Sequence, residues 1–262
     1  MTDSQITFTD GEGYENYMGV WSRLVGREFI DWLAPAAGGR WLDVGCGNGA
    51  FTETIVQRCA PASVDGVDPA EAQLAFARAR ATTRQARFHP GDAMALPFPD
   101  DAFDIAVMPL VIFFVPDPRK GVAEMARVVK PGGIVAAYGW DLTGGGFPYE
   151  PVQAELEAMG VPRRQPPSAD AAVLENLTGF WKGAGLSDAE TRVIRVQRTF
   201  ASGDELWATT GRSPNLGPSL AALPPGKLAE LKARVARRVA ADAAGRITFT
   251  GRAHAIRGRV PI

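Results

Sequence analysis

Between residues 40 and 59 an apolar run, RWLDV, breaks into Gly45-Cys46-Gly47-Asn48-Gly49-Ala50 and resumes as the helical pattern FTETIVQRC. Three glycines in five positions, set between a strand and a helix, let the main chain turn sharply and approach a bound group closely. The same rhythm continues downstream. SVDGVD (63–68) reads as a second strand and AEAQLAFARARA as its helix. ARFHPGD (86–92) is a third short strand, and FDIAVMPLVIFFV (103–115) begins as a fourth and runs into an apolar loop. RKGVAEMARVV is a helix stopped by Pro131-Gly132-Gly133, and IVAAYGW (134–140) is a fifth strand. Strands alternating with helices predict an α/β fold around a doubly wound parallel sheet. Such sheets bind ligands at the carboxyl ends of their strands, at the topological switch point. That rule puts the loop at 45–49, Asp68, Asp92 and the segment after Val107 on one rim.

Upstream, VWSRLVGREFIDWL (20–33) carries Val20, Leu24, Val25, Phe29, Trp32 and Leu33 at helical spacing, and Pro35 and Gly38-Gly39 close it. Residues 1–13 are polar and are expected to order only with a partner or ligand. Beyond Trp140 the rhythm changes. TGGGFPYEP and VPRRQPPSAD are breaks flanking a short helix at 151–159, LENLTGFWKGAGL is an amphipathic helix closed by Gly185, and residues 191–200 read as a strand. ASGDELWATT opens a helical stretch, KLAELKARVARRVAAD is an amphipathic helix with a solvated basic face, and residues 246–260 read as a closing strand. The Pro/Gly-rich pieces at 142–170 and 211–225 are candidate lid or cap elements.

Composition narrows the function classes. With 28 basic and 29 acidic residues the formal net charge is −1, which gives no long-range pull toward nucleic acid. No apolar run approaches the roughly 20 residues of a membrane span, and the N-terminal stretch lacks a basic-then-apolar signal pattern. Cys46 and Cys59 read as reduced thiols, so a cytoplasmic protein is expected. Cys46 suits the loop through its small size rather than as a nucleophile. His89 and His254 offer no metal-ligand spacing, and no metal is expected.

The glycine turn alone leaves two cofactors open. Gly45 to Ala50 match the G-x-G-x-x-A pattern of a dinucleotide loop, and Asp68 stands where a ribose-binding acid belongs. An NAD(P)-dependent oxidoreductase is therefore one reading. Asp43, however, precedes the glycines at the end of the first strand. A carboxylate there faces a diphosphate unfavourably and suits a cationic amino group. Gly91-Asp92-Ala93 ends the third strand, where an acid can accept from an adenine amino group, and Lys130-Pro131-Gly132-Gly133 precedes the last parallel strand.

Taken with Gly66-Val67-Asp68 and Phe103-Asp104, these stretches resemble the class I S-adenosylmethionine (SAM)-dependent methyltransferases over residues about 15–141, closest to the small-molecule branch that includes the ubiquinone/menaquinone biosynthesis type. YENYMGVWSRL also looks like a segment that precedes the glycine loop in some of these enzymes. The resemblance implies a seven-stranded, mostly parallel Rossmann-like sheet with an antiparallel last strand and a helical cap. It divides the chain into an N-terminal helical segment covering the cofactor (1–34), a SAM-binding core (35–141) and a C-terminal part completing the sheet (142–262). It implies that Asp43 and Gly45, Cys46, Gly47, Asn48 and Gly49 hold the methionine portion, Asp68 with Pro69 the ribose, and Asp92 with Ala93 the adenine. It places Met108, just past the fourth strand, near the transferring methyl group, with Tyr17 and Arg23 closing over the carboxylate. S-adenosylhomocysteine (SAH) would be the product.

One departure stands out. Members of this branch often carry histidine after the fourth strand, where this chain reads Leu110-Val111-Ile112-Phe113-Phe114. Asp141, after the fifth strand, is the acid best placed by sequence for an acceptor's proton, or else a structural loop acid; His254 is more distant. Asp104 reads as a strand-start residue. Phe113, Phe114, Trp140 and Trp207 either line an apolar acceptor pocket or belong to the core. The expected activity is methyl transfer to a small, partly apolar molecule. A SAM-fold binding protein without turnover is a further alternative, and the sequence specifies no oligomeric state.

Overall fold

The computed structural model describes residues 15–262. The polar stretch 1–13 lies outside the described residues, as does most of the expected N-terminal cover before α1. Seven strands form one sheet: β1 (Arg40–Val44), β2 (Ser63–Asp68), β3 (Ala86–Pro90), β4 (Phe103–Pro109), β5 (Val129–Trp140), β6 (Ser187–Phe200) and β7 (Ile247–Arg259). Their order is β3-β2-β1-β4-β5-β7-β6. The first five run parallel, and β7 pairs antiparallel with both β5 and β6. The reversal of order between β1 and β4 is the switch point, and the carboxyl ends of those two strands form the rim expected to bind ligand.

Burial follows position in the sheet. Every residue of β1 after Arg40 is buried, and β4 is buried apart from Asp104, because helices cover both faces of the central strands. The edge strand β6 has only Ile194, Val196 and Phe200 fully buried, with exposed residues between them. Helices α1 (Val20–Leu33), α2 (Ala50–Arg58), α3 (Glu71–Ala79) and α4 (Pro118–Val128) flank the parallel half. The cap half supplies α5 (Glu150–Ala158), α6 (Leu174–Gly183), α7 (Gly203–Gly211), α8 (Gly217–Ala221) and α9 (Pro225–Arg238). Residue 117 shows how sequence sets such boundaries. The Asp117 side chain accepts from the backbone N–H groups of Arg119 and Lys120, and Pro118 fills the first helical position, where no N–H is needed.

Three elements differ from expectation. The buried stripe of α1 is Trp21, Val25, Phe29 and Leu33 with Ser22, Gly26 and Ile30. Val20, Leu24 and Trp32 flank it half-buried, and Trp32 lies under the Arg257 guanidinium, 4.9 Å from its ring centroid. Secondly, α4 ends at Val128 and β5 begins at Val129, which already pairs with Phe103. Lys130-Pro131-Gly132-Gly133 therefore forms an irregularity inside β5, where the ladder shifts before resuming at Ile134, rather than the stop before it. Proline cannot donate to a ladder, so it sits where pairing is interrupted. Thirdly, the Pro/Gly-rich piece at 211–225, expected as a lid or cap element without a helix of its own, contains the short helix α8.

The N-terminal segment is bound to the cap by aromatic rings. Tyr17, in a single π-turn (Glu15–Gly19), stacks on Tyr149 at 4.5 Å. Trp21 donates from Nε1 to the Tyr149 hydroxyl at 3.4 Å and packs edge-on against Trp140 at 6.2 Å. This joins the first helix, the end of β5 and the start of α5 over the rim.

Candidate active site

Asp43 ends β1 next to the glycine turn and is wholly buried. Its Oδ2 accepts from the Thr52 hydroxyl at 2.6 Å, and its Oδ1 has no hydrogen-bond partner. Burial pushes its pKa up to about 7; the Thr52 hydrogen bond opposes the shift and nearby Asp68 adds to it. Gly45, Gly47 and Gly49 all take positive φ, at 71°, 52° and 80°. A β-carbon on Gly45 would collide with the Val111 side chain, so both conformation and space demand glycine there. The N–H groups of Gly45 and Cys46 donate to Val67 O at 2.7 and 3.1 Å, which fixes the loop against β2.

Asp68 ends β2, and its two oxygens accept from Gly47 N (3.0 Å) and Ala70 N (2.8 Å). It thus locks the glycine turn to the start of α3 beside Pro69. Burial raises its pKa against these two hydrogen bonds. A carboxylate has about four acceptor positions, so two such bonds leave room for a ligand hydroxyl. Asp92 is exposed, and its Oδ1 accepts from Met94 N at 2.8 Å in a turn that also contains Ala93. The buried Cys46 thiol is pushed well above its ordinary range by burial and by Asp43 and Asp68, so it stays protonated.

Sequence reasoning missed two residues of this rim. Thr52 holds Asp43, and its position in the first turn of α2 was the available signal. Arg80 donates from Nε to Asn48 O at 2.8 Å and pairs with Glu53 at 3.1 Å and with Glu15. Nothing in its spacing marks it. Arg23 also pairs with Glu15, whose carboxylate accepts in addition from Asn48 Nδ2 at 3.1 Å. Arg23 thus reaches the glycine loop, but through Glu15.

A cavity of about 410 Å³ opens beside the rim. Tyr17, Leu110, Phe113, Phe114, Trp140 and Phe147 form its apolar walls. Its charged groups come from α5 and the segment after it. Arg163 is bidentate to Glu150 (2.9 and 2.8 Å) and also bonds Glu157 (3.0 and 2.8 Å). These hydrogen bonds hold the Glu157 carboxyl below its usual range. None of these cap residues was legible as a site residue.

Three expected site residues are placed differently. Asp141 is buried and does not line the cavity. It accepts from Arg252 (2.6 and 2.9 Å) and from Gly144 N (2.9 Å), with His254 at 3.6 Å, so its lone pairs are committed to closing a turn. Met108 lies inside β4 rather than past it and is buried toward α4, where a β-carbon on Gly121 would stand 3.6 Å from its Cε. Trp207 packs beneath Lys232, 5.6 Å from its ring centroid, away from the cavity. By contrast Phe113, Phe114 and Trp140 do line it. Asp104 sits at the start of β4, at the opposite end from the rim, bound to Lys130 and to Arg40 N at 2.6 Å.

Residues 42–137 match the family model of the methyltransferase domain. That stretch runs from β1 through most of β5 and takes in the glycine turn, Asp68 and Asp92. Over 115 residues it is 36% identical to a ubiquinone/menaquinone biosynthesis C-methyltransferase of Roseobacter denitrificans, covering 42% of this chain and 46% of that one. The chain thus spans about half the length of the curated relatives it matches. Among solved structures, Haemonchus contortus phosphoethanolamine N-methyltransferase 2 in complex with SAM superposes with a TM-score of 0.62 at 18% identity, covering 97% of this chain and 58% of that one. A [4+2]-cyclase does so at 0.53 and 20% identity, covering 96% of each chain. These neighbours share the fold. The sheet order also sets the domain apart from the dinucleotide fold, which ends 4-5-6 without an antiparallel insertion between the last two positions.

Proposed function

We propose that this protein is a SAM-dependent methyltransferase acting on a small, largely apolar acceptor. The observation that carries the reading is the buried Asp43 carboxyl with one oxygen lacking a partner. A buried, half-satisfied carboxyl is costly unless a cation or donor completes it. An amino acid ammonium fits that role, and a diphosphate beside it would be repelled. The residues fit SAM as follows. Asp43 takes the ammonium side. The turn Gly45, Cys46, Gly47, Asn48 and Gly49, at the amino end of α2, gives the carboxylate main-chain room. Asp68 with Pro69 meets the ribose, and Asp92 with Ala93 the adenine. Tyr17 and Arg23 cover the site from the N-terminal segment.

When bound, SAM supplies a methyl group on a positively charged sulfur that already leaves readily. The protein then has to position the acceptor and exclude water, and positioning alone can supply up to about 7–11 kcal/mol. The aromatic walls around Phe113, Phe114 and Trp140 do this for a flat apolar molecule. Among the described residues lining the cavity, the carboxylates are Glu150 and Glu157, and Arg163 holds both. No carboxylate is left to take a proton, which favours an acceptor atom that is already nucleophilic at neutral pH. No helix among the described residues is long and apolar enough to cross a membrane. Two free, buried cysteines suit the reducing cytoplasm.

The lack of a free base also favours a second reading, ligand binding without turnover. The test for both is SAM consumption against a metabolite library, with product masses read by spectrometry. A product heavier by one methyl group supports transfer. SAM binding with no methylated product across the library supports the second reading.

A further inference from the structure

The cavity sets polar side chains beside its aromatic walls, and two of those polar groups are unpaired. Arg163 spends its guanidinium on both Glu150 and Glu157, which leaves this cluster one net negative charge and Arg163 no free donor pair for an occupant. The next residue, Arg164, also lines the cavity, is half-buried, and has no ion pair or hydrogen bond among the described residues. Asn215 lines the same cavity, and its Oδ1 is buried with no donor. Arg164 and Asn215 also share the wall of a smaller recess with Val161 and Leu216, which puts them at the same end. The rings of Phe113, Phe114 and Trp140 line the same cavity.

A half-buried guanidinium without an ion pair of its own is under-compensated, and a buried amide oxygen without a donor has lost its water and gained nothing in exchange. An occupant with an anion and a neighbouring hydrogen-bond donor satisfies both. Guanidinium geometry favours a planar, bidentate anion, and the volume of about 410 Å³ suits one or two rings. Building on the methyltransferase reading, we infer that the acceptor is an aromatic or alicyclic acid. Its carboxylate is bound by Arg164, a hydroxyl or amino group donates to Asn215 Oδ1, and its ring lies among Phe113, Phe114 and Trp140. Arg164 and Asn215 are specificity residues and take no part in the transfer itself.

The test is calorimetric titration of matched acid and amide pairs into the full chain saturated with SAH. Suitable pairs are indole-3-acetate with indole-3-acetamide, 4-hydroxyphenylacetate with its amide, and salicylate with salicylamide. At least one acid is expected to bind tenfold or more tightly than its amide. Arg164→Gln is expected to bring that ratio to within twofold of unity while SAH affinity is unchanged, and Arg164→Lys to restore part of it. Asn215→Ala is expected to weaken acids and amides alike, since every one of these ligands carries a hydroxyl or ring N–H, and to leave the acid-to-amide ratio unchanged. The inference is overturned if every pair binds equally, if no acid binds below about 1 mM (about −4 kcal/mol), or if Arg164→Gln leaves the ratio intact. A titration of SAH alone separates the two levels. If SAH does not bind, the methyltransferase reading fails, and the acid–amide comparison on the bare chain still judges the cavity.

Discussion

The rim and the cavity lie side by side and are built in opposite ways. At the rim, one short contiguous stretch makes the site: Asp43, three glycines with positive φ and Thr52 fall within ten residues of one strand–turn–helix unit. Main-chain conformation does most of the work there, and substitutions meet steric walls. The cavity instead gathers residues from the N-terminal turn, the ends of β4 and β5, α5 and the loops at 163–169 and 214–215. Its chemistry lies in side chains on irregular segments, which tolerate change. The contrast implies that the rim fixes the cofactor and the cavity sets the acceptor, so each should fail separately.

Gly45→Val breaks the rim most severely. Positive φ and the clash with Val111 together should cost roughly 3 kcal/mol or more, with SAH binding lost. Thermal unfolding and SAH titration check this, and near-normal binding would break the contrast.

Asp43 gives a pH signature opposite in sign to that of the cavity's Glu157, whose carboxyl is held low by Arg163. Its carboxyl titrates near pH 7 when folded and near 4 when unfolded, so the folded state holds the proton more tightly. Stability should therefore fall as pH rises from about 4 to about 7, by on the order of 2–4 kcal/mol from this group, and level off above. Asp68, also raised, adds in the same direction. Denaturant titrations between pH 4 and 8 should show this slope in the wild type and a shallower one in Asp43→Asn.

Phe114→Ala probes the other side. It should raise the acceptor KM about tenfold and lower stability by about 1–2 kcal/mol, with SAH affinity within twofold. A large loss of SAH affinity would show that the regions are not separable. Asp141→Asn should lower stability by about 1–3 kcal/mol through the Arg252 pair while leaving turnover within about threefold. A hundredfold loss would return Asp141 to a catalytic role. The smallest effect is expected from Trp207→Ala, which should leave the acceptor KM unchanged.

Legibility in the sequence divides along the same line. The five parallel strands and their helices could be read because central strands are continuously apolar and glycine punctuates the turns. The rim residues could be read because local backbone geometry dictates residue type at fixed spacing. The antiparallel β7 followed only from family resemblance, since strand direction leaves no mark on a run of alternating residues. Asp141 shows the limit most clearly: position after β5 suggested a base, but Arg252, 111 residues away, consumes the carboxylate. The Arg163–Glu150–Glu157 cluster was hidden because its ion pairs span an irregular loop. Trp207 misled because an aromatic side chain on a cap helix serves equally well under a lysine as in a pocket wall.

The most direct measurement is titration of SAH into the wild type and Asp43→Asn at pH 6 and pH 8, in buffers of different ionisation enthalpy. The account predicts one site per chain in the wild type. It predicts proton release on binding at pH 6 and tighter binding at pH 8, because an ammonium beside Asp43 favours its ionised form, and it predicts that Asp43→Asn loses the proton release. Absence of SAH binding, or binding with neither proton release nor dependence on Asp43, would contradict it.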